Sequence, residues 1–372
     1  MMKTHAAALT EQPGRWQVIE VDLAPPQVGE VLVRFKAAGL CHSDEHTATG
    51  DMPIGRTPFI GGHEGAGVIE EVGPGVTRFA VGDRVATKFV PSCGFCAACY
   101  AGNMNLCDLG MYALAGCMPN GTYRASYKGE DVAQMTMVGT FAQRAVASEY
   151  SLVKIPDDVS YEVAALVSCG VATGWGSAEN GARVSHGDTV IVMGVGGVGI
   201  NAVQGAAARG AAHVIAVDPV EFKREQALLF GATDAFADID EAADFARLVT
   251  NGQGADSAIV CVGVTTGDHV AQAFSAIAKR STVVVTGIGD ASAVGLPVNL
   301  WELSMMEKRI QGVLFGMGNP GAEVPRLLEM YKSGRLRLDE LITRRYTLSE
   351  INTGYQDMYD GRNIRGVIVH DE

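Results

Sequence analysis

The chain has 372 residues, of which 47% are hydrophobic and 19% charged, and it exceeds the roughly 250–300 residues at which one hydrophobic core stops growing, so two domains are expected. Forty-two acidic against 29 basic side chains give a net charge of −13; this repels phosphate backbones and argues against nucleic acid as a partner. No apolar stretch approaches the ~18 residues of a membrane span. The amino terminus lacks the apolar core of a secretory signal, so a cytoplasmic location is expected.

In chain order, residues 15 to 155 read as short strands punctuated by Gly and Pro, among them Gly29–Phe35, Val68–Gly73 and Asp83–Thr87, which is the texture of a β-rich domain. Four of the eight cysteines, Cys93, Cys96, Cys99 and Cys107, fall within fifteen residues. In a cytosolic chain such spacing points to metal rather than disulfide. Four thiolates close a tetrahedral zinc shell with no position left for water, so the reading is a structural zinc; an iron–sulfur cluster is the alternative, with nothing else in the chain to suggest electron transfer. Three further residues, Cys41, His63 and Cys169, are dispersed, and each cysteine alone reads as a small buried hydrophobe. Together they make a Cys₂His set with an open fourth position.

From about residue 188 the pattern becomes strand, glycine turn and Ala-rich helix, with strands at Thr189–Met193, His213–Val217, Ser257–Val262, Thr282–Thr286 and Ile310–Phe315. A doubly wound parallel sheet is expected. Gly194-Val195-Gly196-Gly197-Val198-Gly199 directly follows the first of these strands and opens a helix. Its glycines permit a tight turn and let backbone amides meet a pyrophosphate. Asp218 ends the second strand, where a carboxylate accepts from both ribose hydroxyls and disfavours a 2′-phosphate, so NAD is the expected cofactor. Lys223, one turn into the next helix, reaches the same ribose or is a solvated surface lysine. The last fifty-odd residues, with a helix around Val324–Lys332 and a strand ending at Val369, return to the first domain.

Gly-Leu-Cys41-His42-Ser43-Asp44, Gly-His63-Glu64-Gly, the four-cysteine run, Cys169-Gly-Val-Ala-Thr173-Gly and the glycine fingerprint follow one another in an order that resembles the zinc-containing medium-chain alcohol dehydrogenases. The resemblance covers nearly the whole chain. It implies an α/β protein with a GroES-like β-rich catalytic domain over 1–170, a Rossmann domain over 171–313 and a return to the catalytic domain over 314–372. It also implies two zinc ions per chain, NAD, a small alcohol or aldehyde substrate and a homodimer or homotetramer paired through the edge strand near Ile310–Phe315. Phrases such as Leu166–Val171, Gly199–Gly205 and Asn363–His370 resemble the actinobacterial N,N-dimethyl-4-nitrosoaniline-dependent group, which implies a permanently bound cofactor and an external electron acceptor. A dissociable NAD cosubstrate is the alternative. Glutathione-dependent formaldehyde dehydrogenases carry an arginine four residues after the last lobe cysteine; this chain has Met111. The fold also hosts polyol and threonine dehydrogenases and zinc-free quinone reductases, the last disfavoured by the intact Cys₂His set.

By the same resemblance, Cys41, His63 and Cys169 hold the catalytic zinc, Asp44 orients the histidine and Glu64 lies near the metal without being a ligand by default. Ser43 takes a hydrogen bond from the substrate oxygen, and His46 collects the proton through the cofactor ribose. On their own, Ser43 reads as a turn hydroxyl and His46 as an exposed histidine. Arg365 and His42 match phosphate-contacting positions, Thr173 begins the segment beside the nicotinamide, and Met52 and Phe89 match an apolar substrate channel, although both read equally well as core residues.

Overall fold

The computed structural model describes residues 1–370. Two compact units form, one from Met1–Cys169 joined by the chain from Asn319 onward, the other from Gly170–Gly318.

In the first unit, strands Met2–Leu9, Gln17–Leu23, Ala125–Tyr127, Glu130–Gln134 and Phe59–Ile60 close a small barrel. Alongside it, Glu30–Gly39 is the hub of a second sheet. It pairs with Glu64–Val72, with Arg144–Ser148 and with the late strand Arg365–Val369. Eight of its ten residues are buried, as a strand covered on both faces requires. The register of the late strand, with Val367 opposite Gly39, is what recruits the end of the chain into this unit. A core of Val31, Val33, Phe35, Ile69 and Val85 fills the interior.

The second unit is a six-stranded parallel sheet in the order Asp234–Phe236, His213–Val217, Thr189–Met193, Ala255–Val260, Ile277–Val285, Arg309–Gly312. Numbered by sequence that order is 3-2-1-4-5-6, the arrangement of dinucleotide-binding sheets. The first strand, Thr-Val-Ile-Val-Met, is wholly buried. Two differences from the expected elements have local causes. The last strand stops at Gly312 instead of running to Phe315, because Phe315 and Gly316 take positive φ of 51° and 61° and turn the chain. That turn packs so closely on the helix Ala172–Gly176 that a Cβ at Gly176 would lie 2.7 Å from Gly316 Cα, which keeps residues to 318 with the second unit where a boundary at 313/314 was expected.

Candidate active site

Cys41 follows the hub strand and caps the helix His42–Thr49. His63 ends the link that leads into Glu64–Val72, and the pairing of Gly39 with Glu64 draws these two segments together. Cys169 comes from a π-helical turn, Val167–Val171, a local irregularity that often marks functional positions. One donor atom from each of Cys41, His63, Glu64 and Cys169 lies within 4.8 Å of the others, and all four residues are buried.

The cluster could hold a cation. Asp44 Oδ1 accepts from the Gly62 amide at 2.8 Å and from His63 Nδ1 at 3.1 Å. A carboxylate on Nδ1 places that proton and leaves the Nε2 lone pair available for coordination, and Nε2 is buried with no hydrogen-bond partner. Burial opposes charge on the ring, yet Asp44 and Cys41 carry the His63 pKa well above the ordinary range. A hydrogen bond from Cys169 holds the Cys41 thiol well below its usual pKa, and the same contact pushes Cys169 up. Burial raises Glu64 to about 7. Among the described residues the donors therefore present sulfur, nitrogen and carboxylate to one point, a set that suits zinc.

Around this point, Ser43 Oγ lies 3.6 Å from Cys41 Sγ. His46 is 2% exposed, and its Nδ1 lies 2.9 Å from Asp51 Oδ2, so it is a held, interior histidine and not the exposed one its sequence context allows. Phe89 stands edge-to-face against His63 with ring centroids 5.0 Å apart. Met52 packs with Ile54 and Tyr123 against Phe59, Ala133 and Met135, which assigns part of its surface to the core. The His42 ring sits between His46 and Tyr359, with centroids 5.8 and 5.9 Å away.

The second cysteine set lies in one lobe. Sγ atoms of Cys93 and Cys99 are 3.9 Å apart, as are those of Cys96 and Cys107. A disulfide needs about 2.05 Å, whereas the edge of a tetrahedron with Zn–S bonds of ~2.3 Å measures about 3.8 Å. Backbone amides of Cys96 and Phe95 point at Cys93 Sγ from 3.4 and 3.5 Å, and that of Cys93 at Cys107 Sγ from 3.4 Å. Such amides stabilise thiolates. Those of Asp108 and Cys99 bring Cys96 down to about 6, while burial pushes Cys107 up to about 12.

In the second unit the glycine turn is closed by contacts that leave no space for side chains: a Cβ at Gly199 would lie 1.8 Å from the Gly194 carbonyl. Gly196 is different, since nothing stands within 4 Å of its would-be Cβ and its φ is not positive. No protein neighbour requires glycine there, which fits a backbone approached by a ligand. Asp218 is 5% exposed, and its two carboxylate oxygens accept from the amides of Val195 at 3.1 Å and Val220 at 3.0 Å. Arg224, which sequence reasoning missed, reaches back to the carbonyls of Asp218 and Pro219 at 2.8 and 2.9 Å. Lys223 is half-buried on the same helix, Glu221–Leu229, and Thr173 is half-buried in Ala172–Gly176.

Comparison with known proteins agrees with this geometry. Residues 27–157 match the alcohol dehydrogenase GroES-like domain and 197–333 the zinc-binding dehydrogenase domain. A putative alcohol dehydrogenase D of Mycobacterium tuberculosis is 52% identical over 99% of this chain and all of its own length. The chain belongs to the zinc-containing medium-chain alcohol dehydrogenase family. An NDMA-dependent alcohol dehydrogenase of Amycolatopsis methanolica is 50% identical over 99% of both chains. The crystal structure of a benzyl alcohol dehydrogenase from Acinetobacter calcoaceticus superposes with a TM-score of 0.91, covering both chains fully at 28% identity. This alcohol dehydrogenase is thus an oxidoreductase, and among its described residues no helix is long and apolar enough to cross a membrane.

Arg365, expected at the cofactor phosphates, is 3% exposed; its Nη2 pairs with Glu64 Oε2 and reaches the Leu40 carbonyl at 3.3 Å. A guanidinium and a carboxylate taken so far from water hold each other, because either alone costs several kcal/mol. Gly39 makes room for the pair: a Cβ there would lie 2.1 Å from Glu64 Oε2. The pairing joins positions 301 residues apart, and no local pattern announces it.

Proposed function

We propose that this enzyme transfers hydride between a small alcohol or aldehyde and NAD(H), with Cys41, His63 and Cys169 as ligands of a catalytic zinc and Glu64 within reach of it. The observation that carries this reading is His63 Nε2, buried and unpartnered beside two cysteine sulfurs, with Nδ1 held by Asp44. A zinc ion held there supplies a Lewis acid that polarises the substrate oxygen. Ser43 Oγ accepts the hydroxyl proton as it gives up its own, so no charge rests on the serine. His46, one helical turn further on and fixed through Nδ1 by Asp51, receives the proton next. Phe89 forms an apolar wall against His63 and keeps water from it, so an apolar alcohol suits the pocket, in line with the benzyl alcohol that a structural relative is named for. Cys93, Cys96, Cys99 and Cys107 hold a second, structural zinc.

For the cofactor, the glycine turn receives the pyrophosphate of NAD, and Asp218 meets the adenosine ribose with the oxygen lone pairs that Val195 and Val220 leave. The 50% identity to an NDMA-dependent relative supports a nicotinamide that stays bound and is reoxidised in place by an external acceptor. The second reading, a dissociable NAD cosubstrate, is favoured by Arg365, whose charge is committed to Glu64 and adds less to cofactor grip. Dialysis separates them. A retained cofactor leaves about one nicotinamide per chain, and alcohol then reduces a nitroso dye without added NAD. Activity that returns only with free NAD decides for the cosubstrate. In cells the protein is read as a cytoplasmic dimer or tetramer, paired through the sheet edge Arg309–Gly312, near which Leu300, Trp301 and Met305 lie exposed.

A further inference from the structure

Lys88 is only 1% exposed. It directly follows the strand Arg84–Thr87, and its neighbour Thr87 uses Oγ1 to support the His63 carbonyl at 2.6 Å. Side-chain alternation sends Lys88 the other way, to where the sulfurs of Cys93, Cys99 and Cys107 act on its charge. There its ammonium donates to Ser92 Oγ at 2.8 Å, and no carboxylate among the described residues pairs with it. Ser92 adjoins Cys93, and its own amide is fixed by the Tyr150 carbonyl at 3.0 Å. An ammonium buried on a single neutral hydroxyl is far from compensated. Burial, and after it Arg78, accordingly bring the Lys88 pKa down to about 7 against the opposite pull of the sulfurs of Cys107, Cys99 and Cys93.

We propose that Lys88 is the counter-cation of the four-cysteine metal site, its ammonium offsetting part of the two net negative charges that four thiolates leave around a divalent ion. The inference rests on reading the lobe as a zinc site. A lysine thus occupies a position that burial alone would give to an apolar residue, because its charge gains a partner when the sulfurs are thiolates. Coupling runs both ways, since the bound tetrathiolate keeps Lys88 charged and charged Lys88 retains the metal.

The test uses the full chain carrying Cys41→Ala, so that the lobe alone holds zinc, with chelator-driven release followed by a zinc-sensitive dye. Lys88→Met and Lys88→Gln are expected to release zinc ~10-fold faster or more, the size typical of lost support around metal ligands, and Lys88→Arg within about 3-fold of the parent. Glutamine keeps a hydrogen bond to Ser92 but no charge, so it separates charge from packing. Equal release from the parent, Met and Gln chains overturns the proposal while leaving the zinc lobe in place. A Cys41→Ala chain that contains no zinc overturns the lobe reading itself. Should Lys88→Gln fail to accumulate, expression in excess zinc decides: rescue supports the coupling, and no rescue contradicts it.

Discussion

The buried Glu64–Arg365 pair makes the sharpest energetic prediction. In Arg365→Met the apolar stem is kept and the cation lost, so a carboxylate with no exposed surface is left without its partner. Breaking a buried pair from one side costs about 3–5 kcal/mol. Burial has already brought Glu64 to about 7, against the pull of Arg365. Without that pull its pKa rises further, and protonation relieves part of the cost at neutral pH. The lower figure applies near neutrality and the upper at alkaline pH. In a unit of this size each kcal/mol moves Tm by ~2–4 °C, giving roughly 6–20 °C. The companion Glu64→Gln and the double variant complete a cycle. If the two groups serve each other, the double variant recovers most of the loss and the coupling energy is several kcal/mol. Denaturation of the four proteins under identical zinc loading measures it. Additive losses, with coupling below about 0.5 kcal/mol, refute the pairing argument, and an Arg365→Met chain of normal stability but weakened cofactor binding assigns Arg365 to the cofactor phosphates instead.

Other outcomes follow from single contacts. Ser43→Ala is expected to lower turnover by ~10²–10⁴-fold with zinc content unchanged, and unchanged turnover removes Ser43 from proton transfer. Asp218→Ala is expected to narrow the preference for NAD over NADP, and also to cost about 1–3 kcal/mol because the Val195 and Val220 amides lose their acceptor; paired measurements of cofactor affinity and Tm check both. At Asp357 burial works to raise the pKa, but the Tyr346 hydroxyl and Arg362 hold it below the usual carboxylate value. A depressed folded pKa contributes stability above the unfolded value of ~3.9 and loses it as pH falls through the folded value. The Tm gap between parent and Asp357→Asn should therefore be full above pH about 4 and shrink below it; a gap independent of pH contradicts the assignment.

Much of this architecture is legible locally. Glycine spacing after Thr189–Met193 announces the nucleotide turn because turn geometry is a property of consecutive residues, and the Cys93–Cys107 spacing confines four thiolates to one loop. The dispersed ligands are harder. Cys41, His63 and Cys169 meet through the Gly39–Glu64 register and a π-helical turn, and were read through resemblance and not through spacing. What escaped depends on side chains meeting across the fold: the commitment of Arg365 to Glu64, Asp51 behind His46, Phe89 against His63, and Arg224 folded back over Asp218. The early end of the last strand at Gly312 was hidden for another reason, since positive φ at Phe315 is not what an aromatic residue suggests.

In the proposed mechanism Cys41, His63 and Cys169 hold a zinc on which alcohol oxidation depends, while the lobe zinc serves the fold. Metal analysis of parent, Cys41→Ala and Cys96→Ala proteins, combined with the near-ultraviolet band of reduced nicotinamide on adding benzyl alcohol with NAD present, tests it most directly. Expected are about two zinc ions and a growing band for the parent, about one zinc and no band for a folded Cys41→Ala chain, and poor expression or a lowered Tm for Cys96→Ala. A Cys41→Ala protein that still reduces nicotinamide with alcohol contradicts it.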